Sequence, residues 1–250
     1  MSTVQGLARR DAIDEYDVIG APTDPELERL VELAAAMCDV PTAVINIIDD
    51  RNQHQIAAVG LPAAVCSREE SMCARVLTDP MQVAVPDARV DDRFKDNPFV
   101  TGEIATVRFY ASSPLVTPAG VPIGTLCVFD DVPRRLSVAG GRALGALAGQ
   151  IVDVLELRLV SRELARSNEH LMKFAGQVCH DLRNPLMALT WFIELAAGSP
   201  ALAGSVQARQ LLARAESSAA GMGAMIGELL DVVRAGSGAT VTKSPGDERS

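Results

Sequence analysis

The chain has 250 residues, enough for one or two domains, and 48% of them are apolar, so a sizeable core can be buried. A formal charge of -9 at neutral pH and the absence of a basic stripe exclude nucleic acid and anionic lipid surfaces as direct partners. No apolar run approaches the roughly 18 residues of a membrane span, and the N-terminus lacks the apolar stretch of a signal peptide. A cytoplasmic protein is expected. Five scattered cysteines (Cys38, Cys66, Cys73, Cys127, Cys179) offer no CxxC pair. They read as reduced thiols, with no metal site and no evident cofactor.

Residues 1–24 are polar and irregular, and are expected to be flexible. Asp24 or Thr23 can cap a helix that has Pro25 at its first position and Glu26 and Glu28 in its first turn. Leu27, Leu30, Val31, Ala34 and Met37 then follow helical spacing. From Pro41 the pattern changes to strands: residues 42–48, closed by a turn at 49–52, then 55–60, 82–85, 109–116 and 123–129. A short helix at 71–77 interrupts them, and Thr117-Pro118-Ala119-Gly120 turns the last pair.

After Ser137 the chain is helical nearly to its end. Leu157, Val160, Leu164, Ser167, Leu171, Phe174 and Val178 keep the 3-4 spacing of a bundle seam. Ala197-Gly198-Ser199-Pro200 breaks the helix, and Leu212, Ala215, Ala219, Met222, Ile226, Leu229 and Val233 repeat the spacing. One such hairpin leaves an apolar seam open. Pairing two copies into a four-helix bundle covers it, so a homodimer is expected.

The strand-rich half carries Val44-Ile45-Asn46-Ile47-Ile48-Asp49-Asp50, Ser71-Met72-Cys73-Ala74, Val85-Pro86-Asp87-Ala88 and Asp92-Arg93-Phe94-Lys95-Asp96-Asn97-Pro98. Arg108-Phe109-Tyr110-Ala111, Ser113-Pro114-Leu115 and Gly124-Thr125-Leu126-Cys127-Val128 follow. In this order and spacing the segments resemble a GAF domain over about residues 25–157. The resemblance implies an antiparallel sheet with flanking helices and a pocket that binds a small molecule in some members. Cys73, Arg108 and Tyr110 are the candidate pocket residues for an unidentified small-molecule ligand. Cys73 reads first as a small buried thiol, with tethering a chromophore or ligating a metal beside a histidine as its alternatives, and Arg108 reads equally as half of a surface ion pair. His54 reads as an exposed or edge histidine rather than a ligand. The Asn-Lys-x-x-x-Phe-like run of cyclic-nucleotide-binding GAF domains is not visible.

His180 lies two residues past seam position Val178, roughly 200° away at about 100° per residue, so it faces outward. Asn184 follows one turn later on the same face. Asp181 can accept the proton of one imidazole nitrogen and leave the other free to attack phosphorus. Pro185 is expected to bend the helix just beyond. Gln177–Leu189 resembles the phospho-acceptor box of sensor histidine kinases, and the match spans about residues 165–235. It implies His180 as phospho-acceptor, Asp181 as general base, and Asn184 as the residue that orients water for removing phosphate from a partner. His170 has no such neighbours and reads as surface.

The expected fold is α+β: a flexible segment (1–24), a GAF-type sheet with flanking helices (25–157), and a signalling helix leading into a dimerising hairpin (158–235). A disordered tail (236–250) closes the chain. In the resembled family an ATPase domain follows the second helix. Here about sixteen residues remain after Arg234 and no Gly-rich phosphate loop occurs, so autophosphorylation by this chain alone is expected to fail. The expected function is two-component signalling. His180 would accept phosphate and relay it to, or the site would remove it from, a response-regulator receiver domain, with a separate kinase or ATPase domain as donor. The alternative is a non-catalytic GAF small-molecule sensor and dimerisation scaffold that modulates other kinases or regulators.

Overall fold

The computed structural model describes residues 2–22, 24–200 and 205–238. It divides into two compact units with the boundary between Val160 and Ser161.

The first unit is built on a six-stranded antiparallel sheet, β1 (Thr42–Ile48), β2 (Asn52–Val59), β3 (Val65–Ser67), β4 (Val83–Val85), β5 (Phe109–Val116) and β6 (Pro122–Asp130), in the order β3-β2-β1-β6-β5-β4. Strand β1 sits inside the sheet with both faces covered, so all seven of its residues are buried. Ala43, Ile45 and Ile47 join one core, and Val44 and Ile48 the other. This two-sided burial explains an apolar β-branched run where a solvent-facing strand would alternate with polar residues. Opposite Ile47, Gly124 lets β6 approach closely: a Cβ there would stand 1.9 Å from the carbonyl oxygen of Asn46.

Helix α2 (Pro25–Cys38) packs on the first face. Asp24 caps it, its carboxylate accepting from the Glu26 N–H at 2.8 Å, and Asp39 closes it in the left-handed region at φ 54°. Arg158 pairs with both Asp24 and Glu26, tying this capped end to α5 (Val138–Ala197). On the second face, α3 (Met72–Val76) and α4 (Pro98–Thr101) are capped by Ser71 and Asn97. The side-chain amide of Asn97 also donates to the Glu70 carbonyl at 2.7 Å.

The N-terminal segment departs from expectation. Residues Ser2–Tyr16 form a helix, α1, that buries Ile13 and Tyr16 in the first core. The Tyr16 hydroxyl donates to Glu156 on α5. A few well-placed apolar groups anchor a helix that is otherwise polar.

In the second unit α5 continues to Ala197 and α6 spans Val206–Gly238. Pro185 lies inside α5, which stays helical on both sides of it. Helix α6 extends past residue 235 into the stretch expected to be disordered, and residues 239–250 lie outside the described part. The hairpin does not pack through the whole expected seam. Among the described residues, Cys179, Ile193 and Ala219 are the buried apolar ones, whereas Leu157, Val160, Leu164, Leu171 and Phe174 are exposed. No described helix is long and apolar enough to cross a membrane.

Candidate functional sites

The turn around His180 is a surface feature of α5. His180 and Asp181 are 69% and 61% exposed, and the carboxylate Oδ1 of Asp181 lies 3.2 Å from Nδ1 of the ring. One turn earlier, Gln177 donates its side-chain amide to both oxygens of Asp181, each at 3.0 Å. These donors, Gln177 first and then His180, hold the Asp181 carboxyl below its usual range. Nδ1–H pointing at Asp181 leaves Nε2 with its lone pair toward solvent. Asn184 is exposed four residues on. Gln177 was not marked out by sequence reasoning. The available signal was its spacing, a carboxamide four residues before a carboxylate on one helix face.

The sheet's second face holds a cavity of about 460 Å³. Cys73 and Tyr110 both line it, together with Cys66, Cys127, Asn46 and Glu70. Tyr110 is buried, its ring 5.3 Å from that of Phe94, and its hydroxyl donates to the Cys73 sulfur at 3.2 Å. Burial and the two neighbouring thiols push the phenol well above its usual range.

Arg108 does not line this cavity, nor does it sit in a surface ion pair. Its Nη1 donates to the carbonyl oxygens of Val100 and Val107, at 2.8 and 3.0 Å. Those acceptors turn the fork inward to close the α4 loop. His54 is likewise neither exposed nor on an edge. It is in β2, next to the edge strand, and its Nε2 lies 2.8 Å from Asp49 across the β1–β2 turn. Among the described residues, no group of three or more His, Cys, Asp or Glu side chains is arranged to hold a metal ion.

Known proteins place both units. Residues 23–155 match the GAF domain family, just over half the chain. Residues 170–238 match the His Kinase A (phospho-acceptor) domain. A cyclic di-GMP phosphodiesterase of Pseudomonas aeruginosa is 35% identical over 149 residues, which is 60% of this chain but 24% of that protein. The chain therefore spans about a quarter of that relative's length.

Among solved structures, the GAF domain of an Acinetobacter phosphoenolpyruvate-protein phosphotransferase is 20% identical, with TM-score 0.45. That match covers 65% of this chain and 99% of the other. The PixJ GAF domain of Thermosynechococcus elongatus is 16% identical, with TM-score 0.47, covering 66% and 96%. The chain belongs to the GAF domain family and, with a phospho-acceptor domain behind it, is a histidine-kinase-like signalling protein.

Proposed function

We propose that His180 accepts a phosphoryl group and exchanges it with the receiver domain of a response regulator. The observation that carries this reading is the Gln177–Asp181–His180 arrangement: a solvent-facing imidazole whose Nδ1 is oriented by a carboxylate that is itself clamped. Nε2 attacks phosphorus, the P–N bond forms, and the P–O bond to the donor breaks in line. The ring would become a cation at that moment. Passing the Nδ1 proton to Asp181 leaves a neutral phosphoimidazole, so Asp181 serves as general base. Asn184, one turn along the same exposed surface, orients water in the reverse task of clearing phosphate from the receiver. The donor is a kinase domain with ATP or an already phosphorylated receiver.

Two further features belong to this reading. The exposed apolar stripe on α5 and α6 supports a homodimer in which each hairpin covers the other. The cavity, at about 460 Å³, falls in the size range of small-molecule sites and supports a ligand-responsive sensor domain.

The test incubates the full chain with a histidine kinase and ATP, or with a phosphorylated receiver, and follows acid-labile label. His180→Gln should abolish label on this chain. Asp181→Asn should slow uptake by about 10²-fold, the lower end for general base catalysis. Asn184→Ala should spare uptake but slow receiver dephosphorylation. Unchanged label and unchanged dephosphorylation in His180→Gln would overturn the reading.

A further inference from the structure

The cavity holds chemistry that phosphotransfer does not use. Three of the five cysteines line it, on three different elements: Cys66 on β3, Cys73 on α3 and Cys127 on β6. The side-chain amide of the buried Asn46 donates to Cys73 at 3.4 Å and to Cys127 at 3.1 Å, so one nitrogen bridges the two sulfurs. Tyr110 adds a second donor to Cys73 at 3.2 Å. A sulfur that accepts from two side-chain donors is built to carry charge. All five cysteines are free thiols.

We propose that Cys73 and Cys127 form an oxidisable dithiol, a modification site at which a small hydroperoxide entering the cavity converts the two thiols to a disulfide. The two sulfurs are unequal in the way the reaction needs. Its neighbours, Cys127 first and then Thr125 and Tyr110, hold Cys73 below the ordinary thiol range, against the opposing effect of burial. Cys127 is pushed up, by its contact with Cys73 first and then by burial, and keeps its proton. Burial and the nearby Cys73 and Glu70 push Cys66 up to about 11, which leaves it a poor competitor as nucleophile.

In the first step the Cys73 thiolate attacks the terminal peroxide oxygen. The O–O bond breaks, a sulfenic acid forms on Cys73, and the departing alkoxide (or hydroxide) takes up the proton that Cys73 released. In the second step the Cys127 sulfur attacks the sulfenic sulfur. The S–S bond forms, and the sulfenic hydroxyl leaves with the Cys127 proton as water. The pair loses two electrons and two protons, and the peroxide is reduced to an alcohol and water.

The experiment treats the full chain with hydrogen peroxide and reads intact mass and a non-reducing peptide map. The expected result is loss of two hydrogens, with the Cys73 and Cys127 peptides joined. Cys127→Ser should instead accumulate a sulfenic acid on Cys73, trapped as a dimedone adduct, and Cys73→Ser should form neither product. Tyr110→Phe removes one donor and should slow disulfide formation by about tenfold. A wild-type chain whose Cys73 stays reduced while Cys38 or Cys66 oxidises overturns the proposal. So does a Cys127→Ser chain with native circular dichroism that gives no adduct on Cys73. None of these readouts depends on His180.

Discussion

Gln177 is the residue on which the His180 turn rests. Its amide engages both oxygens of Asp181, and that carboxylate in turn faces the ring nitrogen of His180. Replacing it with leucine removes the donor and keeps helix propensity. Gln177→Leu should raise the Asp181 titration midpoint toward the ordinary value of about 3.9, read by carbon NMR of the carboxylate. The sign follows from linkage. A carboxyl held low in the fold contributes above its ordinary range, and that contribution is lost as pH falls through the lowered value. Asp181 is solvent-exposed, so the effect belongs to reactivity rather than to stability. No movement of the midpoint would mean that the clamp does not act on the carboxylate in solution.

Proximity of Asp181 to His180 was legible because neighbours on one helix need no tertiary information. The role of Gln177 was not, because a two-oxygen contact depends on rotamers that spacing alone leaves open. Arg108 was misread for the same reason. Its acceptors are backbone carbonyls of Val100 and Val107, and a sequence shows no carbonyl directions.

Among elements, the N-terminal helix and the second strand show what pattern reading misses. Strand β2 begins at Asn52, three residues before the expected start, because Gln53 and Gln55 line the cavity rather than a dry core. Polar residues there do not argue against a strand. Helix α1 was hidden by its composition. Arg9 is buried with Ile13 and Tyr16, so the docked face is not a clean apolar stripe. Docking still rests on Ile13, which is 3% exposed. Ile13→Ala should lower the stability of the first unit by about 2–4 kcal/mol, as deletion of a buried aliphatic group does. Calorimetry checks this, and a melting point within a degree of wild type would show that α1 is not docked in solution. Strand β1 and helix α2, in contrast, were legible, since a continuous β-branched run and a Asp-Pro-Glu start are local signals.

For the whole molecule the decisive feature is that the long helices carry two apolar stripes. The one formed by Cys179 and Ile193 of α5 with Ala219 of α6 is already buried within the hairpin. The other, Leu164, Leu171, Phe174 and Val178 on α5 with Met222, Met225 and Leu229 on α6, remains exposed. Its 3-4 spacing on α5 was legible in the sequence, and on α6 the expected seam ran through Ala219, Met222 and Leu229 together. Which stripe closes the hairpin was not legible, because on α5 the two lie only one residue apart in phase (Val178 beside Cys179).

Exposed apolar surface of this extent is the kind an interface covers, and a second copy offers the matching heptads. Light scattering at micromolar concentration should therefore give twice the chain mass, with a melting point that rises with concentration. Phe174→Glu combined with Met225→Glu places charge on the exposed stripe and leaves the buried one intact. That variant should run as a monomer of retained helicity, whereas Ile193→Glu should lose helicity outright by burying an unpaired carboxylate. A monomeric wild type, or a Phe174→Glu/Met225→Glu variant that still dimerises, would show that this stripe does not hold two copies together.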